Sequence, residues 1–141
     1  MSHNITQETA VGVRRSTRRA LIVATAAAMN GLAWVGGRQA HVDYMVHTPL
    51  GARQITVVLV IVATTISGLA GWAVYSLLER HTSNPMRTWI ALAVAVLALS
   101  TVPVFVLPAG LGTRLALTTL HCVAAAILIA GLPQTRWRTT A

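Results

Sequence analysis

The chain reads as an all-α integral membrane protein, a bundle of four transmembrane helices with both termini cytoplasmic. Three observations predict this. Of 141 residues, 55% are hydrophobic and only 10% charged, with a mean hydropathy of +0.64. A soluble domain of this size carries about 25% charged residues and could not hide so much apolar surface. The apolar residues fall into four runs separated by short polar breaks, none alternating at period two, so each run can satisfy its backbone only as a helix and a β-barrel is excluded. The basic residues, all arginine, cluster on one side of the resulting topology.

The elements follow in order. Residues 1–18 read as a polar, basic cytoplasmic tail. The first span, about 20–36, follows Arg14, Arg15, Arg18 and Arg19. The string from Ser16 to Val23 resembles a twin-arginine export signal, and an uncleaved signal-anchor helix is the reading adopted. The second span, about 55–78, carries no charge and is closed by Glu79, Arg80 and His81. Ser83-Asn84-Pro85 breaks the chain before the third span, about 89–107. The fourth span, about 115–132, follows a loop in which Thr113 is a candidate cap, and Pro133 with Arg136, Trp137 and Arg138 ends it. The transmembrane domain is thus 19–133, and 134–141 form a second cytoplasmic tail.

With the N-terminus inside, Arg14, Arg15, Arg18, Arg19, Arg80, Arg87, Arg136 and Arg138 lie inside, and Arg38, Arg53 and Arg114 outside. This is the positive-inside bias of a plasma-membrane protein. Trp34, Trp72, Trp89 and Trp137 fall near span ends, where amphipathic rings sit at the interface. The net charge of +8 would suggest nucleic acid in a soluble protein. Here the arginines form no stripe and have almost no aromatic interleaving, so topology and anionic lipid explain them and no nucleic-acid partner is expected.

The candidate chemistry lies at two depths. At about 1.5 Å per helical residue, Asn30, Ser67, Ser100 and His121 reach one level near the midplane, with Thr64, Thr65 and Thr101 just above. Polar side chains there turn away from lipid. Hydroxyls and Asn30 can serve as interhelical glue worth about 1 kcal/mol or less. His121 is ionisable, and is expected to face the bundle axis within hydrogen-bonding reach of one of the other three. The outer loop adds His41, Asp43 and His47, a spacing that matches no standard metal motif. Asp43 is expected to pair with Arg38 or Arg53, and Glu79 with Arg80, Arg87 or His81. Only His121 among the histidines lies in a span, which argues against haem, and no cofactor or metal is expected. Cys122 stands alone, which excludes an intramolecular disulfide, and reads as a small buried helix residue. Ser67 with Gly71, and Thr64 with Gly68, form small-xxx-small helix-packing faces suited to the bundle or to a second copy.

Gly71-Trp72, Leu77-Leu78-Glu79-Arg80, Arg87-Thr88-Trp89-Ile90-Ala91-Leu92, the Ser100 to Pro103 helix end and Leu120-His121-Cys122-Val123-Ala124-Ala125 together resemble an actinobacterial family of four-span membrane proteins of unknown function. The pieces cover spans two to four, and Asp43 also fits. The Ser-to-Pro spacing differs from that family's pattern, which bears on the register of Ser100. The resemblance implies a four-helix membrane fold and no assigned activity.

The functional expectation is a small non-enzymatic membrane protein that binds a partner protein or a small lipophilic ligand. The alternative is an intramembrane enzyme on a lipid-soluble substrate, with His121 as acid or base beside Ser100, Asn30 and Asp43. A small transporter ranks third, because no span carries an acid.

Overall fold

The computed structural model describes residues 2–106 and 108–133. Four helices, α1 (Ser2–Gln39), α2 (Val57–His81), α3 (Pro85–Val106) and α4 (Leu111–Gly131), form an up-down bundle, and a hairpin of β1 (Met45–Thr48) and β2 (Gly51–Gln54) joins α1 to α2. Each helix contains a segment long and apolar enough to cross a membrane, Ser16–Gln39 in α1 and the whole of the other three. The chain is therefore a small multi-pass membrane protein. The arginine-rich start of the first span, the α2–α3 turn and the end of α4 share one end of the bundle, called here the terminal end. The hairpin and the α3–α4 loop share the other, the hairpin end.

The helix boundaries have local causes. α1 begins at Ser2, well before the expected start near residue 20, because nothing between them stops a helix: the segment has no proline and one glycine. The predicted polar tail is thus a helical extension of the span. At its far end α1 closes with a Schellman arrangement. Val42 N–H donates to the Gly37 carbonyl at 2.9 Å and His41 N–H to that of Arg38 at 3.1 Å, with His41 at φ 61° where glycine is usual. Thr56 caps α2, its hydroxyl oxygen accepting from Leu59 N–H. α3 starts at Pro85, earlier than expected, because proline fits the first helical position and Asn84 takes the cap site, its carbonyl accepting from Thr88. α4 starts at Leu111 after Gly110, so Thr113 is buried inside the first turn and is not the cap.

α1 packs against α2 and α4, and α3 completes the bundle mainly against α4. Close approach to α1 is set by two glycines. A Cβ on Gly68 would lie 2.8 Å from Val23, and one on Gly131 2.7 Å from Ile22. Gly71 lets the Trp89 ring approach α2, a Cβ there meeting it at 3.1 Å. Such small residues let membrane helices reach van der Waals contact. Gly68 and Gly71 thus lie at helix contacts, whereas Ser67 is exposed on the outer face of α2.

Two apolar clusters result. At the terminal end Val23, Ala26, Tyr75, Trp89, Leu128 and Leu132 are buried together. At the hairpin end Tyr44, Val46, Val60, Val104, Leu117 and Leu120 form the second. Large apolar side chains such as Leu32, Ile66, Leu99 and Leu115 point outward, as a lipid-facing surface requires. Cys122 is exposed on that surface too, contrary to the buried position expected for it.

Candidate functional site

The midplane layer resolves into one interhelical contact. Asn30, 3% exposed, donates from Nδ2 to Thr64 Oγ1 at 3.0 Å, and Thr64 donates onward to the Val60 carbonyl at 2.7 Å. Asn30 Oδ1 is buried and accepts no hydrogen bond among the described residues. The other members of the expected layer satisfy themselves locally. Ser100 donates to the Leu97 carbonyl at 2.9 Å. His121 Nδ1 lies 2.7 Å from the Leu117 carbonyl, and since a carbonyl only accepts, Nδ1 carries the proton and Nε2 is left as the acceptor. No hydrogen bond joins Asn30, Ser67, Ser100 and His121 to one another among the described residues. Depth along a helix fixes a side chain's level, not its face. Hydroxyl and imidazole groups in a helix also have a carbonyl three or four residues back that competes for their proton.

Asp43, the fourth catalytic candidate, is exposed in the connection before β1. No ion pair joins it to Arg38 or Arg53 among the described residues. Arg38 instead lies over the Trp34 ring at 5.9 Å, and Trp34 stacks on Tyr44 with centroids 5.4 Å apart. Trp34 Nε1 donates to the Ile55 carbonyl, Ile55 N–H to that of Tyr44, and His47 N–H to that of Pro108. The hairpin is thereby tied to α1, to the start of α2 and to the α3–α4 loop. Burial pushes the Tyr44 hydroxyl above its ordinary pKa of 10.0, and the nearby Arg38 charge opposes that shift. His41 and His47 are exposed, and no group of three metal-donor side chains forms among the described residues.

The densest polar cluster lies at the terminal end, on residues that sequence reasoning passed over. Arg19, 6% exposed, donates to Glu79 Oε2 at 2.7 Å and to Ser76 Oγ at 2.8 Å. Its guanidinium sits 5.5 Å from the centre of the Tyr75 ring, and Tyr75 meets Trp89 edge-on at 5.6 Å. Glu79 therefore pairs across helices with Arg19 rather than with Arg80, Arg87 or His81 beside it. The reason is geometric. Side chains on a helix lean toward its N-terminus, so Arg19 reaches down α1 while Glu79 reaches back up α2, and the two meet near Ser76. The available signal was charge balance, since Glu79 alone has a carboxylate at the mouth of the bundle. Trp89, taken as an interfacial ring, is 5% exposed and part of this core. Trp137, Arg136 and Arg138 lie outside the described residues.

Beside these clusters runs an open groove of about 470 Å³ between α1 and α2. Ala20, Ala24 and Ala28 line one wall and Ile61, Thr65 and Leu69 the other. Thr65 turns its hydroxyl to the Ile61 carbonyl at 2.8 Å, so the one polar side chain in that wall is satisfied within its own helix. The surface this leaves is almost wholly apolar.

No curated protein and no solved structure matches the chain. A family of unknown function does, over residues 10–138. That match takes in the polar cluster, the groove, the hairpin and all four spans, and it agrees with the resemblance to a family without assigned activity. On this coverage the chain belongs to DUF6069, a family of unknown function.

Proposed function

We propose that this protein is a non-enzymatic plasma-membrane protein of actinobacterial type that holds a small lipophilic ligand in the groove between α1 and α2. Its termini are cytoplasmic, which makes the terminal end the inner one. The observation that carries the reading is the groove itself. Its walls offer apolar surface with no unsatisfied donor or acceptor in the hydroxyl of Thr65, and it stands open at the side of the bundle. Small alanine side chains leave room there that a bulkier helix would fill. Such a surface suits an occupant that brings hydrocarbon and asks for no hydrogen bonds.

The binding reading also draws support from the catalytic candidates. Ser100 and His121 direct their protons to carbonyls of their own helices, and Asp43 is at the opposite end of the bundle from the groove's inner mouth. An acid–base pair needs its members within hydrogen-bond reach of one reacting group.

Native mass spectrometry on the protein purified in mild detergent tests the proposal. The wild type should carry co-purified lipophilic mass, and Ala24→Leu, which fills the groove from the α1 side, should lose it. Equal adducts on both proteins would contradict the assignment.

A further inference from the structure

We infer that the ligand of this groove is an anionic phospholipid of the inner leaflet, with one acyl chain lying along the alanine wall and its phosphate held at the terminal end by Arg80. The inference rests on the groove reading above and adds the headgroup.

The argument begins with register. α1 and α2 run antiparallel with Val23 against Gly68, Asn30 bonded to Thr64 and Gly31 beside Ile61. Continuing that register inward brings Ser16 level with Ser76, and Arg14 and Arg80 to within about one turn of each other, at ~1.5 Å per residue. The alanine wall from Ala20 to Ala28 is eight residues, ~12 Å long. That approaches the ~15 Å half-thickness of a bilayer's hydrocarbon core. The groove therefore spans one leaflet.

Helical phase extends the same two walls toward the cytoplasm. Ser16 lies one turn before Ala20 on the groove face of α1. Arg80 lies eleven residues after Leu69, three turns along α2 and on the same face. The apolar track thus ends at an exposed guanidinium. The charge there is uncompensated. Glu79, the adjacent carboxylate, is taken by buried Arg19, while Arg14, Arg80 and Arg87 are exposed at this end. Hydrocarbon-sized space joined to positive charge at one interface matches an amphiphile with an anionic head. A neutral lipophile would leave the charge unused, and a partner helix would bring no phosphate to it. Guanidinium groups bind phosphate through paired, charge-assisted hydrogen bonds.

The test is competition between dioleoyl-phosphatidylglycerol and dioleoyl-phosphatidylcholine for the full chain in detergent, read by native mass spectrometry. Wild type should retain phosphatidylglycerol in preference. Arg80→Gln, an exposed position that leaves the packing untouched, should reduce that preference by about five-fold, the effect of one arginine near an anionic surface, with phosphatidylcholine unchanged. Ala24→Leu should lower retention of both lipids. If Ala24→Leu lowers both while wild type does not distinguish them, the groove binds lipophiles and the headgroup inference is wrong. If the preference survives in Arg80→Gln, the inference is likewise overturned. If Ala24→Leu changes neither lipid, the groove reading and the inference fall together.

Discussion

Both ends of the bundle set an arginine over an aromatic ring, and they differ in what else meets the guanidinium. At the terminal end Arg19 lies over Tyr75, which packs edge-on against Trp89, and a carboxylate closes the cluster at 2.7 Å. At the hairpin end Arg38 lies over Trp34, which stacks on Tyr44, and the nearby carboxylate, Asp43, is exposed and outside any ion pair. Two nearly identical sets of side chains therefore do different work. Arg19 is buried and its charge must be neutralised, so the pair with Glu79 fixes α1 against α2. Arg38 is exposed, and its end is held by ring stacking and by backbone bonds from Ile55 and His47. The lesson is that burial, not composition, decides whether a charge binds helices together.

The largest expected effect follows from removing the buried carboxylate. Glu79→Ala strands the Arg19 guanidinium, and breaking a buried pair costs about 3 kcal/mol or more. Thermal unfolding in detergent should show a loss of this order, whereas Asp43→Ala at the other end should leave stability unchanged. A small effect of Glu79→Ala would erase the distinction between the ends.

A pH titration sharpens the comparison from the hairpin side. The folded-state pKa of Tyr44 is raised, so the fold favours the neutral phenol. That contribution is complete below the ordinary value of 10.0 and is lost as pH rises through the folded pKa. Trp34 fluorescence should therefore report loosening of the hairpin end above that range, and Tyr44→Phe should abolish the transition. An unchanged alkaline transition in Tyr44→Phe would locate the effect elsewhere.

The smallest effect is a gain. His41 occupies a left-handed position at φ 61°, which costs a non-glycine residue about 1 kcal/mol. His41→Gly should keep the helix end and raise the midpoint of thermal unfolding slightly. Glycine's greater freedom in the unfolded chain offsets part of the gain. A lowered midpoint would mean that the imidazole does more than occupy the cap.

The four spans were legible because lipid leaves a helix no alternative, and hydropathy records that directly. The cores of the spans fell where the apolar runs lie, while their ends moved by several residues because caps such as Asn84-Pro85 and Gly110 act locally. The hairpin was missed. Its strands are four residues each, and their burial follows from contacts with α1 and the α3–α4 loop that no local pattern encodes. The candidate site was legible only in part. Asn30 and Thr64 did meet, but level alone could not tell that Ser67 faces outward or that His121 bonds within α4. Arg19 was read as a topology signal because it stands in a run of arginines, and only the packed helices distinguish it from Arg18. The groove depends on how α1 and α2 diverge beyond Gly68, a property of the pair and not of either sequence.

The difference between the two ends is tested most directly by paired double-mutant cycles, Arg19→Met with Glu79→Met and Arg38→Met with Asp43→Asn, read as unfolding free energies in one detergent. At the terminal end each single substitution should destabilise strongly and the double should cost less than their sum, a coupling of about 1–3 kcal/mol. At the hairpin end the two substitutions should add, with coupling near zero. Additive behaviour of Arg19 and Glu79, or an equal coupling at both ends, would contradict the account.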